Sequence, residues 1–525
     1  MVTVLDLSRK EVVQAIRDGK AAICVVGLGY VGLPLAVLFA SEGAKVVGCV
    51  RTQRSAQKIN RGETKVVEHD ISSLLKEGAV MLESPCPNCG VRLFKLKGET
   101  FCPSCGKVAS ITKFGVHLKD AVATDHEKIV KSRQSLENLL KEFVETGKLH
   151  ATTQTAAAVQ QSDVILITVG TPVNEKNVPV YTDLENATRA VGKGLQKGSL
   201  VILKSTVSPG TTENRVKPIL ERESGLKAGK DFGLAFMPET IKEGHALHEF
   251  RTLPRIVGGI SKKCAEAAAN VFSIFPAPIH IYETPSIAEA AKLFQNIYRD
   301  VNLALVNELA LACEKLGIDV TQVINAANID PKTHLLTPGL IGGYCLPKDT
   351  YHLSRPSKMA GYDARLITLA RNLNNGMPSH VLMLVDEAFE EMNASIKDSR
   401  IAVLGLGFKA NSGDLRNTSA KPIVEGLLTR GAVLIAQDPF ARFDEVNKLL
   451  PQLQCTRSIQ EAVRGATCTV IVTDHLEYRK LTADHLKKLM STPSAVIDAR
   501  NVINPQDATA SGLVFRGLGK PRPTT

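Results

Sequence analysis

Residues 21–50 constrain the fold of this chain more than any other stretch. An apolar run over 21–27 leads into Gly27-Leu28-Gly29-Tyr30-Val31-Gly32-Leu33-Pro34. An apolar helical pattern follows to about Ser41, and Lys45 to Val50 reads as a second strand. Strand, glycine turn, helix and strand in that order is the setting a dinucleotide fingerprint needs. Gly27 makes the turn. Gly29 lets a pyrophosphate approach the backbone, and Gly32 lets the helix pack on the strand with its N-terminus toward the phosphates. With Tyr30 and Val31 between them, these residues are the first cofactor-binding candidates. Ala21 to Ala40 carries no charge and is long enough to span a bilayer. Its glycines and Pro34 favour strand, turn and buried helix instead.

The end of the second strand is unusual. A site for NAD wants an acidic residue there, to accept from the ribose 2′-hydroxyl. This chain has Cys49-Val50-Arg51-Thr52-Gln53-Arg54. Arg51 and Thr52 suit a 2′-phosphate and so NADP, or they are ordinary solvated helix-start residues; both cofactors stay open at this point. Further apolar strands run to Gly170-Thr171-Pro172 and to Lys204-Ser205-Thr206-Val207. In a doubly wound sheet ligands bind beyond the carboxyl ends of strands, which makes Thr171 and Thr206 candidates too. A second strand and glycine turn, Ile401-Ala402-Val403-Leu404-Gly405-Leu406-Gly407-Phe408-Lys409, opens another such half. Ala410 stands where its third glycine would be, so this half is expected to hold a nucleotide differently. Between the halves, Pro285 to Gly317 has the apolar period of a long helix, with Lys292 and Asn296 sharing a face.

A chain of 525 residues exceeds one hydrophobic core. We expect an α/β protein with two Rossmann-like doubly wound domains joined by a central helical domain. The expected divisions are 1–215, 216–390 and 391–516, with a flexible Gly-, Pro- and Arg-rich tail over 517–525. The first twenty residues carry charges throughout and lack a signal-peptide apolar core, so the expected compartment is the cytoplasm. The net charge of +11 is compatible with nucleic acid, an acidic membrane surface or anionic substrates.

Two groups of cysteines stand out among the eleven. Cys345 lies in Gly342-Gly343-Tyr344-Cys345-Leu346-Pro347-Lys348-Asp349, a glycine-rich loop with a lysine and a carboxylate just downstream. A thiolate beside a cation is a strong nucleophile; a buried structural cysteine is the alternative. The second group is Cys86-Pro87-Asn88-Cys89-Gly90 and Cys102-Pro103-Ser104-Cys105-Gly106. Two CxxC knuckles followed by glycines present four thiolates, which satisfies tetrahedral zinc and leaves no open position. Cys86, Cys89, Cys102 and Cys105 therefore read as a structural zinc ribbon inserted at about 80–120, rather than as an iron–sulfur site or four unliganded thiols. Its surface lysines and Arg92 are read as a solvated face in preference to a nucleic-acid site.

The order of motifs resembles the UDP-glucose/GDP-mannose dehydrogenase family across nearly the whole chain. The matching strings are the Gly27 fingerprint; Ser205-Thr206-Val207; Met237-Pro238-Glu239 followed by Glu243-Gly244; Lys292-Leu293-Phe294-Gln295-Asn296 with Arg299 and Asn307-Glu308; the Cys345 loop; and Gly407-Phe408-Lys409 with Asp414 and Arg416. The resemblance implies a four-electron oxidation of a nucleotide-sugar C6 alcohol to a carboxylate, with two NAD or NADP reduced. It implies Cys345 as nucleophile, with Lys292 and Asn296 at the C6 oxygen. It implies Glu239 and Asp349 organising water, with Thr206 close by. Glu239, Glu243, Lys292, Asn296, Gly342, Gly343 and Lys409 become substrate-binding candidates, and Arg416 joins the cofactor set. A homodimer or higher assembly, with no membrane partner, is expected. Val67-Glu68-x-Asp70 and Val169 to Asn174 look most like the branch acting on UDP-N-acetylhexosamines, ahead of UDP-glucose or GDP-mannose. Three features depart from the family pattern: Tyr344 where many members have His, the insertion, and Val50 in place of an acid. Val50-Arg51-Thr52 is similar to the NADP-specific turn of 6-phosphogluconate dehydrogenases. A two-electron hydroxyacid dehydrogenase and a nucleic-acid-binding protein on an inactive scaffold are the competing readings.

Overall fold

The computed structural model describes residues 3–64, 66, 69–70, 80–85, 92–96, 99–101, 108–112, 115–119, 134–241 and 246–522. It forms two compact units. The first comprises Met1–Asn174 with Pro179–Lys292, the second Glu175–Val178 with Leu293–Thr525.

The first unit is built on an eight-stranded sheet. From edge to edge its strands are Leu149–Thr152, Lys45–Cys49, Ala22–Val26, Val164–Ile167, Leu200–Leu203, Gly233–Phe236, Arg255–Gly259 and Ile279–Tyr282. All neighbours are parallel except Gly233–Phe236 with Arg255–Gly259. The central strands are apolar along their whole length and buried, as a sheet covered on both faces requires. The chain leaves Ala22–Val26 toward one edge and returns on its other side at Val164–Ile167. This is the reversal of strand order beside which such sheets bind ligands. The uncharged stretch 21–40 resolves as expected into strand Ala22–Val26, the glycine turn, and the buried helix Gly32–Ser41.

The second unit carries a six-stranded parallel sheet in the order Gln454–Thr456, Val433–Gln437, Arg400–Leu404, Cys468–Ile471, Ala495–Asp498 and Val514–Gly517. The long helix is Pro285–Leu316, 32 residues, and the division between the units falls within it after Lys292. Helices Leu346–Met359 and Arg365–Glu391 belong to the second unit. The expected flexible tail is a correction. Val514–Gly517 is a sheet strand, and the residues after it are tied down. Val320 N donates to Gly519 O, Gly519 N to Glu314 Oε1 at 2.7 Å, and the Lys520 ammonium to Asp319 Oδ1 at 2.8 Å. Glycine and proline content suggested disorder, but long-range polar partners hold the segment through Arg522.

Residues 80–119 contribute an antiparallel meander of Val80–Pro85, Arg92–Leu96, Glu99–Phe101, Val108–Thr112 and Gly115–Lys119. Cys86, Cys89, Cys102 and Cys105 fall in the connections and lie outside the described residues, as does Glu243. Among the described residues no helix is long and apolar enough to cross a membrane.

Candidate active site

The first unit presents the glycine turn. Gly27 sits at φ +106°, a left-handed conformation that a side chain rarely adopts. A Cβ on Gly32 would lie 2.0 Å from Gly27 O and 2.6 Å from Thr168 Oγ1, so close packing of helix on turn demands glycine there. A Cβ on Gly29 would meet nothing within 4 Å. The space above the middle of the turn is open, as a site for a pyrophosphate must be. Val31 precedes the helix Gly32–Ser41 as its N-cap, with Tyr30 half-buried beside it.

Beyond the neighbouring strand ends lies a charged group that local sequence did not single out. Lys204, directly after the apolar strand Leu200–Leu203, is fully buried. Its ammonium donates to Met237 O at 3.2 Å, sits 3.3 Å from Glu239 Oε2 and lies over the Phe272 ring at 4.8 Å. Burial holds its pKa below the usual lysine range; the Glu239 charge opposes this, while Arg255 and Lys292 reinforce it. Arg255 is also pushed down, to about 10, by burial against a counteracting Glu239. Glu239 Oε1 accepts from the Thr240 and Ile241 amides at 2.9 and 3.1 Å, which fixes the carboxylate. Thr206 is half-buried, and its carbonyl accepts from the buried Thr171 hydroxyl, so the two sequence candidates meet. Glu289, buried on the long helix, accepts from Gly210 N and from both N and Oγ1 of Thr212. It thereby anchors the loop after Thr206. Arg51 and Thr52 lie apart from this group, exposed after the strand Lys45–Cys49.

The second unit holds the thiol. Cys345 is exposed and is the N-cap residue of Leu346–Met359, so the positive end of a helix dipole faces it. Lys348 and Asp349 follow in the first turn, both buried, with their amides donating to Cys345 O. The Lys348 ammonium is 3.0 Å from Asp349 Oδ1. Burial works against that charge, but Asp349 and Cys345 outweigh it and hold the Lys348 pKa above the usual lysine range. Asp349 Oδ2 accepts from Asn296 Nδ2 at 2.6 Å, across from the long helix. Lys292 and Asn296 are one turn apart on that helix and both buried. Tyr344 has both cations over its ring, the Lys348 ammonium at 5.0 Å and the Arg416 guanidinium at 5.5 Å from the centroid. Arg416 is itself oriented by a bidentate pair with Asp414.

Loops 338–345 and 405–419 are locked together. Gly343 has φ +90°, and a Cβ there would lie 2.7 Å from the Phe408 ring. A Cβ on Gly342 would lie 2.7 Å from Asn417 O. Asn417 donates to Gly343 O and accepts from Gly343 N. Lys409, half-buried, follows Phe408 in this loop. At the other end, Asn307 both donates to Gly339 O at 3.1 Å and accepts from Gly339 N at 2.8 Å.

Residues 21–83 and 120–276 match the NAD binding domain of the UDP-glucose/GDP-mannose dehydrogenase family, 286–376 its central domain, and 402–505 its UDP binding domain. A UDP-N-acetyl-D-mannosamine dehydrogenase of Pyrococcus horikoshii is 32% identical over 499 residues, covering 95% of this chain and 99% of that protein. The chain belongs to the UDP-glucose/GDP-mannose dehydrogenase family.

Solved structures agree. That of the UDP-D-ManNAc dehydrogenase from Pyrococcus horikoshii superposes with a TM-score of 0.75 at 32% identity, over 95% of this chain and 99% of that one. An NDP-N-acetyl-D-galactosaminuronic acid dehydrogenase from Methanosarcina mazei gives 0.71 at 31%, over 97% and 98%. The first family match breaks between residues 83 and 120, the interval that holds most of the antiparallel meander. Residues 69–106 match a model of Sjogren's syndrome/scleroderma autoantigen 1 (autoantigen p27).

This dehydrogenase also contains a buried polar network that sequence reading missed. Asp300 accepts from Arg371 Nη1 at 2.6 Å, from Asn374 Nδ2 at 2.9 Å and from Thr350 Oγ1 at 3.3 Å. Asn374 in turn accepts from Asn307. The network therefore ties the long helix to residues on both sides of Cys345, Gly339 and Thr350. Its only local signal was Asn307 within one motif, since a charge inside an amphipathic helix reads as solvated until its partner is seen.

Proposed function

We propose that this chain is a nucleotide-sugar 6-dehydrogenase acting on a UDP-N-acetylhexosamine. The observation that carries the reading is the helix-capping Cys345 beside the buried Lys348–Asp349–Asn296 cluster. A dehydrogenase limited to a two-electron step has no use for such a thiol. The substrate class rests on relatives named for UDP-N-acetylmannosamine, and on a UDP-N-acetyl-D-glucosamine 6-dehydrogenase of Pseudomonas aeruginosa, 29% identical over 92% of this chain and 97% of that protein.

A nicotinamide dinucleotide, NAD or NADP, supplies the hydride acceptor at each of two oxidations when bound at the Gly27, Gly29, Tyr30, Val31 and Gly32 turn, with Thr171 and Arg416 assigned to the same cofactor set. Lys292 stabilises the alkoxide that develops at C6 as the hydroxyl proton is lost, and Asn296 positions that oxygen. The Cys345 thiolate then adds to the C6 aldehyde to give a thiohemiacetal. Its carbon, bearing oxygen and sulfur, is oxidised to the Cys345 thioester. Water organised by Glu239 and Asp349, with Thr206 close by, attacks the thioester and releases the carboxylate and the thiolate. Per sugar, one water is consumed, two dinucleotides are reduced and three protons are released. Glu243, Gly342, Gly343 and Lys409 are assigned to the UDP-sugar.

The domain divisions at 215 and 390 remain our assignment. So does structural zinc on Cys86, Cys89, Cys102 and Cys105. The registers support it: Pro85↔Arg92 closes the strand pair around the first CxxC, and Phe94↔Phe101 brings the start of the second CxxC beside the same strand. Metal analysis should give one zinc per chain. A homodimer is favoured by an apolar stripe on the long helix. Phe294, Tyr298, Leu305, Leu309 and Leu316 recur every four and seven residues on one face and are exposed, Tyr298 at 68% and Leu316 at 71%. Among the described residues no two cysteines are joined by a disulfide, in keeping with a reducing cytoplasm.

The test is a stoichiometry measurement with UDP-N-acetylglucosamine, UDP-N-acetylmannosamine, UDP-glucose and GDP-mannose. Two reduced dinucleotides per uronate are expected, and Cys345→Ser should lower acid formation by roughly a thousandfold. Normal acid production by that variant sinks the mechanism. No turnover on any sugar, together with tight RNA or DNA binding, favours the nucleic-acid reading.

A further inference from the structure

We propose that the dinucleotide at the Gly27 turn carries a 2′-phosphate, and that Arg51 and Arg54 select it. This rests on the reading of that turn as a dinucleotide site and names which dinucleotide it takes.

In this topology the end of the strand beside the fingerprint strand lies against the adenosine ribose. Here that strand is Lys45–Cys49, paired with Ala22–Val26 through Val26↔Cys49. Val50 follows, its amide bonded to Thr152 O at 3.0 Å, so the chain is held in register to the end of the sheet. A carboxylate at this place accepts from a free 2′-hydroxyl and repels a 2′-phosphate. Val50 can do neither. From Cys49 through Gly62 the charged residues are Arg51, Arg54, Lys58 and Arg61, all cationic.

Arg51, just before the N-cap Thr52, and Arg54, in the first turn of helix Gln53–Asn60, are both exposed directly after the strand end. Arg51 Nη1 is held 2.9 Å from Asp183 Oδ1, while the side chain stays 83% exposed. One donor of a five-donor fork is thus used to aim it, and the others face solvent. A guanidinium presents paired donors to phosphate oxygens, which is the recognition a 2′-phosphate needs. A Cβ on Gly29 would meet nothing within 4 Å, so the backbone at the middle of the same turn is open to a ligand.

Isothermal titration of the full-length protein with adenosine 2′,5′-bisphosphate and with 5′-AMP reads the proposal without turnover. The wild type should bind the bisphosphate roughly tenfold or more tightly than 5′-AMP. The double variant Arg51→Ala, Arg54→Ala should lose that gap. Val50→Asp should reverse the preference. Steady-state measurements with NADP and NAD should give the same order in kcat/KM. Equal binding of the two nucleotides by the wild type, or an undiminished gap in the double variant, overturns the proposal. If the protein binds neither NAD nor NADP, the dinucleotide reading itself falls and takes this proposal with it.

Discussion

The two glycine turns begin alike and end differently. Both follow an inner strand flanked by parallel neighbours, and both first glycines have positive φ, +106° at Gly27 and +88° at Gly405. At the first turn the helix starts at Gly32, where a Cβ would strike Gly27 O. At the second, Ala410 replaces the third glycine, the helix waits until Ala420, and a loop occupies the interval. The second cradle is also already filled. The Leu406 and Gly407 amides donate to Asp438 Oδ2 at 2.7 and 3.0 Å, and the buried His475 lies 3.2 Å from the same oxygen. Burial alone would raise the Asp438 pKa. The His475 contact and the backbone donors outweigh it and hold the carboxyl at about 2. One turn leaves its anion site open. The other carries its own anion and gives its loop to Phe408, Arg416 and Asn417, which meet the Cys345 loop at Gly342, Gly343 and Tyr344.

That contrast can be broken experimentally. The largest effect is expected from Asp438→Ala, which leaves His475 and the two amides without their buried acceptor. It should cost about 3–5 kcal/mol in denaturant unfolding, and a change below 1 kcal/mol would show that the carboxylate does not matter there. Next is Gly32→Ala, which should weaken dinucleotide binding roughly a hundredfold with far-UV circular dichroism unchanged. Unaltered binding would remove close helix packing as the reason for the glycine. A third effect is read by acid titration. Because the folded Asp438 pKa lies below its unfolded value, its contribution is fully present above about pH 4. That contribution should be lost as pH falls toward about 2. Asp438→Asn should flatten the stability curve in that window.

Much of this was legible along the chain. The strands around Gly27 and Gly405 are continuous apolar runs, and the long helix has a clear period, because neighbouring residues alone set those patterns. Cys345 and Asn296 stood out from the residues themselves, but their joining into one set with Asp349 was legible only through resemblance, since 53 residues separate Asn296 from its partner Asp349. Lys204 gave a faint signal, a lysine ending a buried strand, but its partners Glu239 and Phe272 lie on other elements. The tail misled because composition reports what a segment lacks in local order, whereas Asp319 and Glu314 hold it from a distance.

The sequence by itself determined two strand–glycine turn–helix halves, a long helix between them, a nucleophile candidate and a cationic end to the second strand. Those features depend on spacing and on backbone conformations open to few residue types. Only the tertiary structure decided that Asp438 closes the second cradle, that Lys348 and Arg416 both lie over the Tyr344 ring, and that Asp300 and Asn307 brace the Cys345 loop from both sides. Buried charges are stable only when partnered, and those partners come from distant parts of the chain.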